Sequence, residues 1–274
     1  MKFSHSTNSR GVVGHPAGVT SIKDLFYLAN GDTELAIREV ASTGYSGVEL
    51  FDGNLIEFPG GLNALKVLFT ELQIELVAVY SGANFIFTEI LNEELWRIEK
   101  AAKVSAELGA EHIVVGGGAK RSSGNTSRDY FLLGQGLNKV ADIAEKYSLI
   151  PSFHPHLGTC VETAEQVEET LKHTRINLCP DTAHLAAGGS DNSTLIQVYA
   201  DRIKYIHLKD YTVNPFSFVP LGDGQLNFIP IIQALRTIGY DGWITVETDG
   251  YAGDPKTSAK KSKQYLEKLL VGGA

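Results

Sequence analysis

The sequence of 274 residues predicts a single α/β domain, a (β/α)8 barrel over 1–274. Three observations carry that expectation. Eight short apolar runs alternate with eight helical patterns, and such alternation builds a parallel sheet. The phrases TGYSGVEL, LGAEHIVV and IGYDGWITV share one grammar, a helix stopped by glycine and a short loop feeding a strand. Eight units over this length suit a closed barrel. A doubly wound sheet would want a glycine-rich fingerprint after the first strand, and Gly11, Gly14 and Gly18 are too scattered to form one.

The elements follow in order. Lys2–Ser6 is the first strand, and Asp32–Thr43 the first helix, opened by an Asp32 cap. Strand Gly47–Phe51 leads to a short helix at Asn63–Glu71. Strand Glu75–Tyr80 precedes helix Asn92–Leu108, in which Leu95, Ile98, Ala102 and Leu108 recur at roughly helical spacing. Next come strand His112–Gly116 with helix Ser127–Tyr147, and strand Ile150–His154 with helix Thr163–His173. Strand Asn177–Asp181 is followed by helix Ser193–Ala200, and strand Tyr205–Leu208 by helix Ile229–Ile238. Strand Ile244–Glu247 and helix Pro255–Leu270 complete the series. Several strands are β-branched or continuously apolar, as strands covered on both faces are. Gly44, Gly109 and Gly239 each follow a last helical turn.

Composition narrows the function. A hydrophobic content of 43% allows a large core, and a net charge of −8 disfavours nucleic acid or an anionic membrane as partner, since both call for an excess of Lys and Arg. No apolar run is long enough to cross a bilayer, and MKFSHSTNS lacks the apolar region of a signal peptide. Cys160 and Cys179 make no disulfide framework, so the cytoplasm is the expected location. A homo-oligomer stays open.

The chemistry is expected where strands end, on the C-terminal face of the barrel. Four successive strands end in a metal-ligand type: His154 in IPSFHPH, Asp181 in INLCPDTAH, His207 in IKYIHLKD and Glu247 in WITVETD. Mixed imidazole and carboxylate donors suit a divalent cation. One such histidine alone would more simply be a satisfied core residue, but isolated charges at an apolar rim are costly unless paired or metal-bound. Asp181 has a second reading, as the cap of a short helix through the N–H of Ala183 or His184. Residues two apart on a strand share a face, so His154 goes with His156, His207 with Lys209, and Glu247 with Asp249. His156 is the foremost acid or base candidate, and Glu49, ending VEL, is another for proton transfer or hydroxyl binding. Lys209 could hold an oxyanion or shuttle a proton, or be a solvated loop lysine. Arg202 is a conceivable partner for Glu247, but its place at a helix end argues against it. The Gly116–Gly118 loop lacks the lysine and helix of a phosphate loop, and Lys120 and Arg121 beside it are either anion binders or solvated. Asp223-Gly224 reads as a turn near the mouth.

These residues resemble a known family. The runs HPHLGTCVET, LCPDTAHLAAGGSD, YIHLKDY and VPLGDGQLNFIPIIQALRTIGYDGWITVETD resemble the xylose isomerase-like TIM barrel superfamily of sugar phosphate isomerases and epimerases, and within it the inosose (2-keto-myo-inositol) dehydratase branch. The resemblance implies a divalent-metal site at the ends of strands five to eight, with manganese expected first and cobalt, zinc or magnesium as alternatives. The usual pattern is Glu, Asp, His, Glu. Asp181, His207 and Glu247 match the last three, and His154 replaces the first, as in dehydratase-like members with His-x-His-x-Gly-Thr. His156 and His184 match positions that contact substrate. The stretch Thr7–Gly31 and the third-strand end VYSGANF depart from the dehydratases, which leaves the exact substrate open.

The expected activity is therefore that of a metal-dependent lyase acting on a keto-inositol or keto-sugar through an enediolate, in inositol or other carbohydrate metabolism. A ketose 3-epimerase type of isomerase and a lyase cleaving 3-keto-glycosides are the alternatives. An epimerase often uses two carboxylates across the metal, and His154 removes one, which favours elimination. His156 or Glu49 would take the proton, and His184 or Lys209 would assist the departing hydroxyl. A multi-metal phosphodiesterase of the endonuclease type is disfavoured by the acidic balance, and a non-catalytic sugar-binding barrel by the intact ligand set.

Overall fold

The computed structural model describes residues 1–8, 26–29 and 31–271; Gly11, Gly14 and Gly18 lie outside them. Eight parallel strands form one sheet: β1 (Lys2–Ser6), β2 (Gly47–Phe51), β3 (Glu75–Gly82), β4 (His112–Gly116), β5 (Ile150–His154), β6 (Asn177–Leu178), β7 (Ile206–Leu208) and, last in the chain, β10 (Trp243–Val246). Their order is β6-β5-β4-β3-β2-β1-β10-β7. Two parallel bridges, Leu178 with Ile203 and Asp181 with His207, join the two ends and close the barrel. The remaining pair, β8 (Asp210–Val213) and β9 (Phe216–Val219), is an antiparallel hairpin outside that sheet.

Ten α-helices lie among the described residues: α1 (Thr33–Ser42), α2 (Asp52–Ile56), α3 (Gly61–Leu72), α4 (Leu91–Glu107), α5 (Ser127–Lys146), α6 (Ala164–Leu171), α7 (Thr182–Ala187), α8 (Asn192–Val198), α9 (Phe228–Thr237) and α10 (Pro255–Val271). Asp32 caps α1 as expected, its Oδ1 accepting from Leu35 N at 3.0 Å. The chain thus holds two helices, α2 and α7, and one hairpin that the eight-unit pattern does not contain. At five and six residues, those helices are too short to show a period. The expected strand Asn177–Asp181 is cut short at Leu178 because Pro180 has no N–H to give a ladder; pairing resumes at Asp181.

Apolar burial divides into two layers. The larger packs helices on the outside of the sheet, around Leu50, Ile98, Val115, Phe153 and Ile244. The smaller fills the barrel, with Val77, Ala78, Val114, Cys179, Tyr205 and Trp243. Gly47 makes room for it: a Cβ there would lie 2.3 Å from Val77 Cγ2 and 3.0 Å from the Trp243 ring. Above that floor the inward positions of the same strands turn polar.

Candidate active site and metal centre

Strand parity carries Trp243, Thr245 and Glu247 up one wall, and Tyr205, His207 and Lys209 up the next. The eight residues singled out from sequence, Glu49, His154, His156, Asp181, His184, His207, Lys209 and Glu247, are all buried. His207 is the hub. Its Nδ1 lies 2.9 Å from Glu247 Oε2 and its Nε2 lies 3.0 Å from Glu49 Oε2. Burial alone would lower its pKa, but Cys179, Glu49 and Glu247 outweigh that and hold it well above the ordinary histidine value.

Asp181 takes the capping role, the second reading of its sequence context. Its Oδ1 accepts from the backbone N–H of Ala183 at 2.9 Å and of His184 at 3.0 Å, capping α7. Oδ2 stays free of hydrogen bonds and lies 3.1 Å from Lys209 Nζ. Lys209 Nζ also lies 2.8 Å from Glu247 Oε2, 2.8 Å from Asp249 Oδ2 and 2.9 Å from His184 Nε2. It is a fully buried ammonium, not a solvated loop lysine. Burial opposes its charge, yet Asp181, Asp249 and Glu247 raise its pKa well above the usual lysine value. Glu247 answers in kind: burial pushes its carboxyl up, but Lys209 and His207 prevail and hold it well below the usual range.

The other three histidines of the site are pushed toward the neutral form. Burial first, then the charge of His207, lowers His154 well below the ordinary value. Burial and Lys209 lower His156, while burial, His156 and Lys209 lower His184. The His156 and His184 rings stack with centroids 3.5 Å apart. His156 Nδ1 donates to the Leu157 carbonyl at 2.7 Å, which leaves Nε2 as the basic nitrogen. Because an ammonium only donates, His184 Nε2 is an acceptor and its proton sits on Nδ1, which is buried without a hydrogen-bond partner.

Four of these side chains could hold a metal ion. Ligand atoms of His154, Asp181, His207 and Glu247 all lie within 4.8 Å of one another. The fit shows in what the protein leaves undone: His154 Nδ1 is buried without a hydrogen-bond partner, and Asp181 Oδ2 accepts no hydrogen bond and is met by the Lys209 ammonium at 3.1 Å. Buried polar atoms are rarely left so, and two nitrogens with two carboxylates suit zinc, manganese or cobalt.

One neighbour, Asn8, carries no motif and escapes a reading of sequence; Tyr80, in VAVYSG, is legible as a strand end. Asn8, just beyond β1, donates from Nδ2 to Glu247 Oε1 at 2.6 Å and to Asp249 Oδ1 at 2.5 Å. Strand parity does point to Asp249, which shares the face of Glu247. Tyr80 stands edge-on to His154, ring centroids 5.7 Å apart, and needs Gly116 beside it, where a Cβ would lie 2.3 Å from the Tyr80 hydroxyl. Lys120 and Arg121 are engaged elsewhere, with Glu162 at 2.8 Å and Asp129 at 2.8 Å. Arg202 bonds the carbonyls of Thr174 and Ile176, away from Glu247.

A family model described as the xylose isomerase-like TIM barrel matches residues 37–269. The chain belongs to that family. It is 30% identical to an inosose dehydratase of Geobacillus kaustophilus over 269 residues, covering 85% of this chain and 86% of the relative. An inosose dehydratase of Lacticaseibacillus casei is 29% identical over 271 residues, with 86% and 89% covered. Among solved structures, the IOLI protein with a binding zinc atom superposes with a TM-score of 0.80 at 18% identity, covering 100% of this chain and 99% of that one. The 3-keto-D-glucoside 4-epimerase YcjR of E. coli gives 0.74 at 19% identity, with 98% and 99% covered. The relatives similar in sequence are dehydratases, and this chain is an enzyme of the family. No helix among the described residues is long and apolar enough to cross a membrane.

Proposed function

We propose that the enzyme is a divalent-metal-dependent dehydratase that removes water from a keto-inositol or a related keto-sugar. The observation that carries the reading is the pair of neutral, stacked imidazoles of His156 and His184 beside a four-residue cation seat. The similarity to inosose dehydratases supports the same choice of substrate.

His154, Asp181, His207 and Glu247 would hold the cation, with manganese, zinc or cobalt the suitable ions. Held there, a divalent cation would supply Lewis acidity, which acidifies a C–H next to the substrate's carbonyl. Glu49 orients His207 from its far nitrogen, as carboxylates behind metal-bound histidines do. His156 Nε2 takes the proton from the carbon next to the carbonyl. Its lowered pKa keeps it unprotonated near neutral pH, ready to act as a base. The electron pair left on carbon expels the β-hydroxyl, which leaves as water with the proton of His184 Nδ1 while Lys209 Nζ passes a proton to His184 Nε2, so the ring stays neutral. Lys209, donating to His184 Nε2, fixes that tautomer and supplies positive charge as the oxyanion develops.

The test is incubation with 2-keto-myo-inositol and a panel of keto-sugars in deuterated water. Deuterium should enter at the carbon next to the carbonyl, and the product should be short of one water. Exchange with epimerised, undehydrated product would replace this reading by an epimerase. His156→Ala should lower kcat by about 100- to 10,000-fold while the metal content stays unchanged.

A further inference from the structure

We infer that Phe218 is a substrate-contacting residue whose ring forms the outer wall of the pocket and selects substrates that present a face of C–H groups. The inference rests on the reading of the mouth as a keto-inositol or keto-sugar site.

Phe218 comes from the β8–β9 hairpin, which begins one residue after Lys209. The root of that hairpin is fixed. The Asp210 carboxylate accepts from the backbone N–H of Tyr211, Gly222, Gly224 and Leu226 at 2.9–3.1 Å. Gly224 is needed for this collar, since a Cβ there would lie 2.1 Å from Asp210 Oδ1. Cross-strand register sets Tyr211 opposite Phe218, so both side chains share one face of the hairpin.

That register brings the Phe218 ring to the acid–base cluster. Its centroid lies 5.0 Å from Lys209 Nζ and 5.2 Å from the His184 ring, which meets it at 71°. The ring is only half-buried, unlike the charged groups beneath it. A substrate held at His184 and Lys209 would lie within reach of it. Lys209, Asp249 and the ring nitrogens of His156 and His184 can bind hydroxyls and a carbonyl, while the Phe218 ring offers a larger, wholly apolar face. An aromatic face carries negative charge density that attracts C–H edges, and pockets for small molecules combine such faces with a few polar groups. A cover over Lys209 would need only bulk. A selecting wall needs the π-face.

The experiment separates these two roles with 2-keto-myo-inositol as the probe. Phe218→Leu keeps bulk and removes the π-face; it should raise KM about tenfold and leave kcat within about twofold. Phe218→Tyr should restore the wild-type KM, and both variants should melt with the wild type. Phe218→Met serves the same end if Phe218→Leu does not fold. An active wild type with KM unmoved in Phe218→Leu, or with kcat lowered at constant KM, overturns the wall and leaves the dehydratase standing. A wild type inert toward every keto-inositol and keto-sugar overturns the dehydratase and the wall together.

Discussion

The floor and the mouth of this barrel are built on the same strands, four residues apart, and differ in kind. On β10 the floor residue is Trp243 and the mouth residue Glu247; along β7 they are Tyr205 and Lys209. The floor is a packed plug, tied by hydroxyls that run from Ser4 to Thr245 at 2.5 Å and on to Tyr205. The mouth has a surplus of buried charge, with Glu49, Asp181, Glu247 and Asp249 around one lysine and one histidine. One end of the barrel is packed for stability, the other gathers the charged groups proposed to hold a cation, and the rise of a strand by four residues separates them.

The largest expected effect comes from breaking the mouth. His207→Ala combined with Glu247→Ala removes half of the cation seat, so the purified protein should lose its divalent metal and its activity should fall to background. Lys209 retains Asp181 and Asp249 as partners, so the circular dichroism of the folded barrel should persist. Turnover surviving in the double variant would show that the seat lies elsewhere. The mirror experiment breaks the floor. Trp243→Ala opens a void against Val77, Gly47 and Tyr205 and should cost about 3–5 kcal/mol in chemical denaturation. Metal content per folded molecule should stay unchanged; its loss at low denaturant would mean that the two ends are one cooperative unit.

A smaller effect tests how the two layers meet. Glu49 reaches across the barrel to His207 and keeps Oε1 without a partner. Glu49→Gln retains a hydrogen bond but not the charge behind the imidazole, and chelator competition should show metal affinity about 10- to 100-fold weaker. An unaltered affinity would reduce Glu49 to a packing partner.

This contrast explains what the sequence can and cannot convey. Strand ends and parity are local, so the grouping of His154 with His156, His207 with Lys209 and Glu247 with Asp249 is legible residue by residue. The bonds of His207 to Glu49, 158 positions away, and of Asn8 to Glu247, 239 positions away, are set by barrel closure and leave no local trace. The β8–β9 hairpin did have a signal, an Asn214-Pro215 turn pair between apolar alternations, which a search for βα units passes over. Helix α2 had none, because one turn and a half shows no period, and α7 was announced by its Asp181 cap alone.

The smallest expected effect concerns a buried carboxylate that lacks what the mouth supplies. Asp52 accepts from Tyr27 N and Ser81 Oγ, each at 2.6 Å. Burial pushes its pKa up to about 6, against the opposing pull of Arg97, Ser81 and the Tyr27 and Gly53 N–H groups. Glu247, equally hidden, is held low by Lys209 and His207 in direct contact. The sign follows from linkage. A carboxyl whose folded pKa is raised contributes stability that is complete below its ordinary value of 3.8 and is lost as pH rises through about 6. His112, lowered to about 4 by burial, works in the opposite sense: its contribution is complete above 6.5 and is lost as pH falls through about 4. A wild-type profile therefore blends these with other buried groups, Asp181 among them, and only the difference from Asp52→Asn isolates one. From pH 4 to pH 7 the wild type should lose about 2–3 kcal/mol relative to Asp52→Asn in matched denaturant melts. A difference that stays constant across that range would mean that Asp52 remains charged throughout, and that Arg97 serves it as Lys209 serves Glu247.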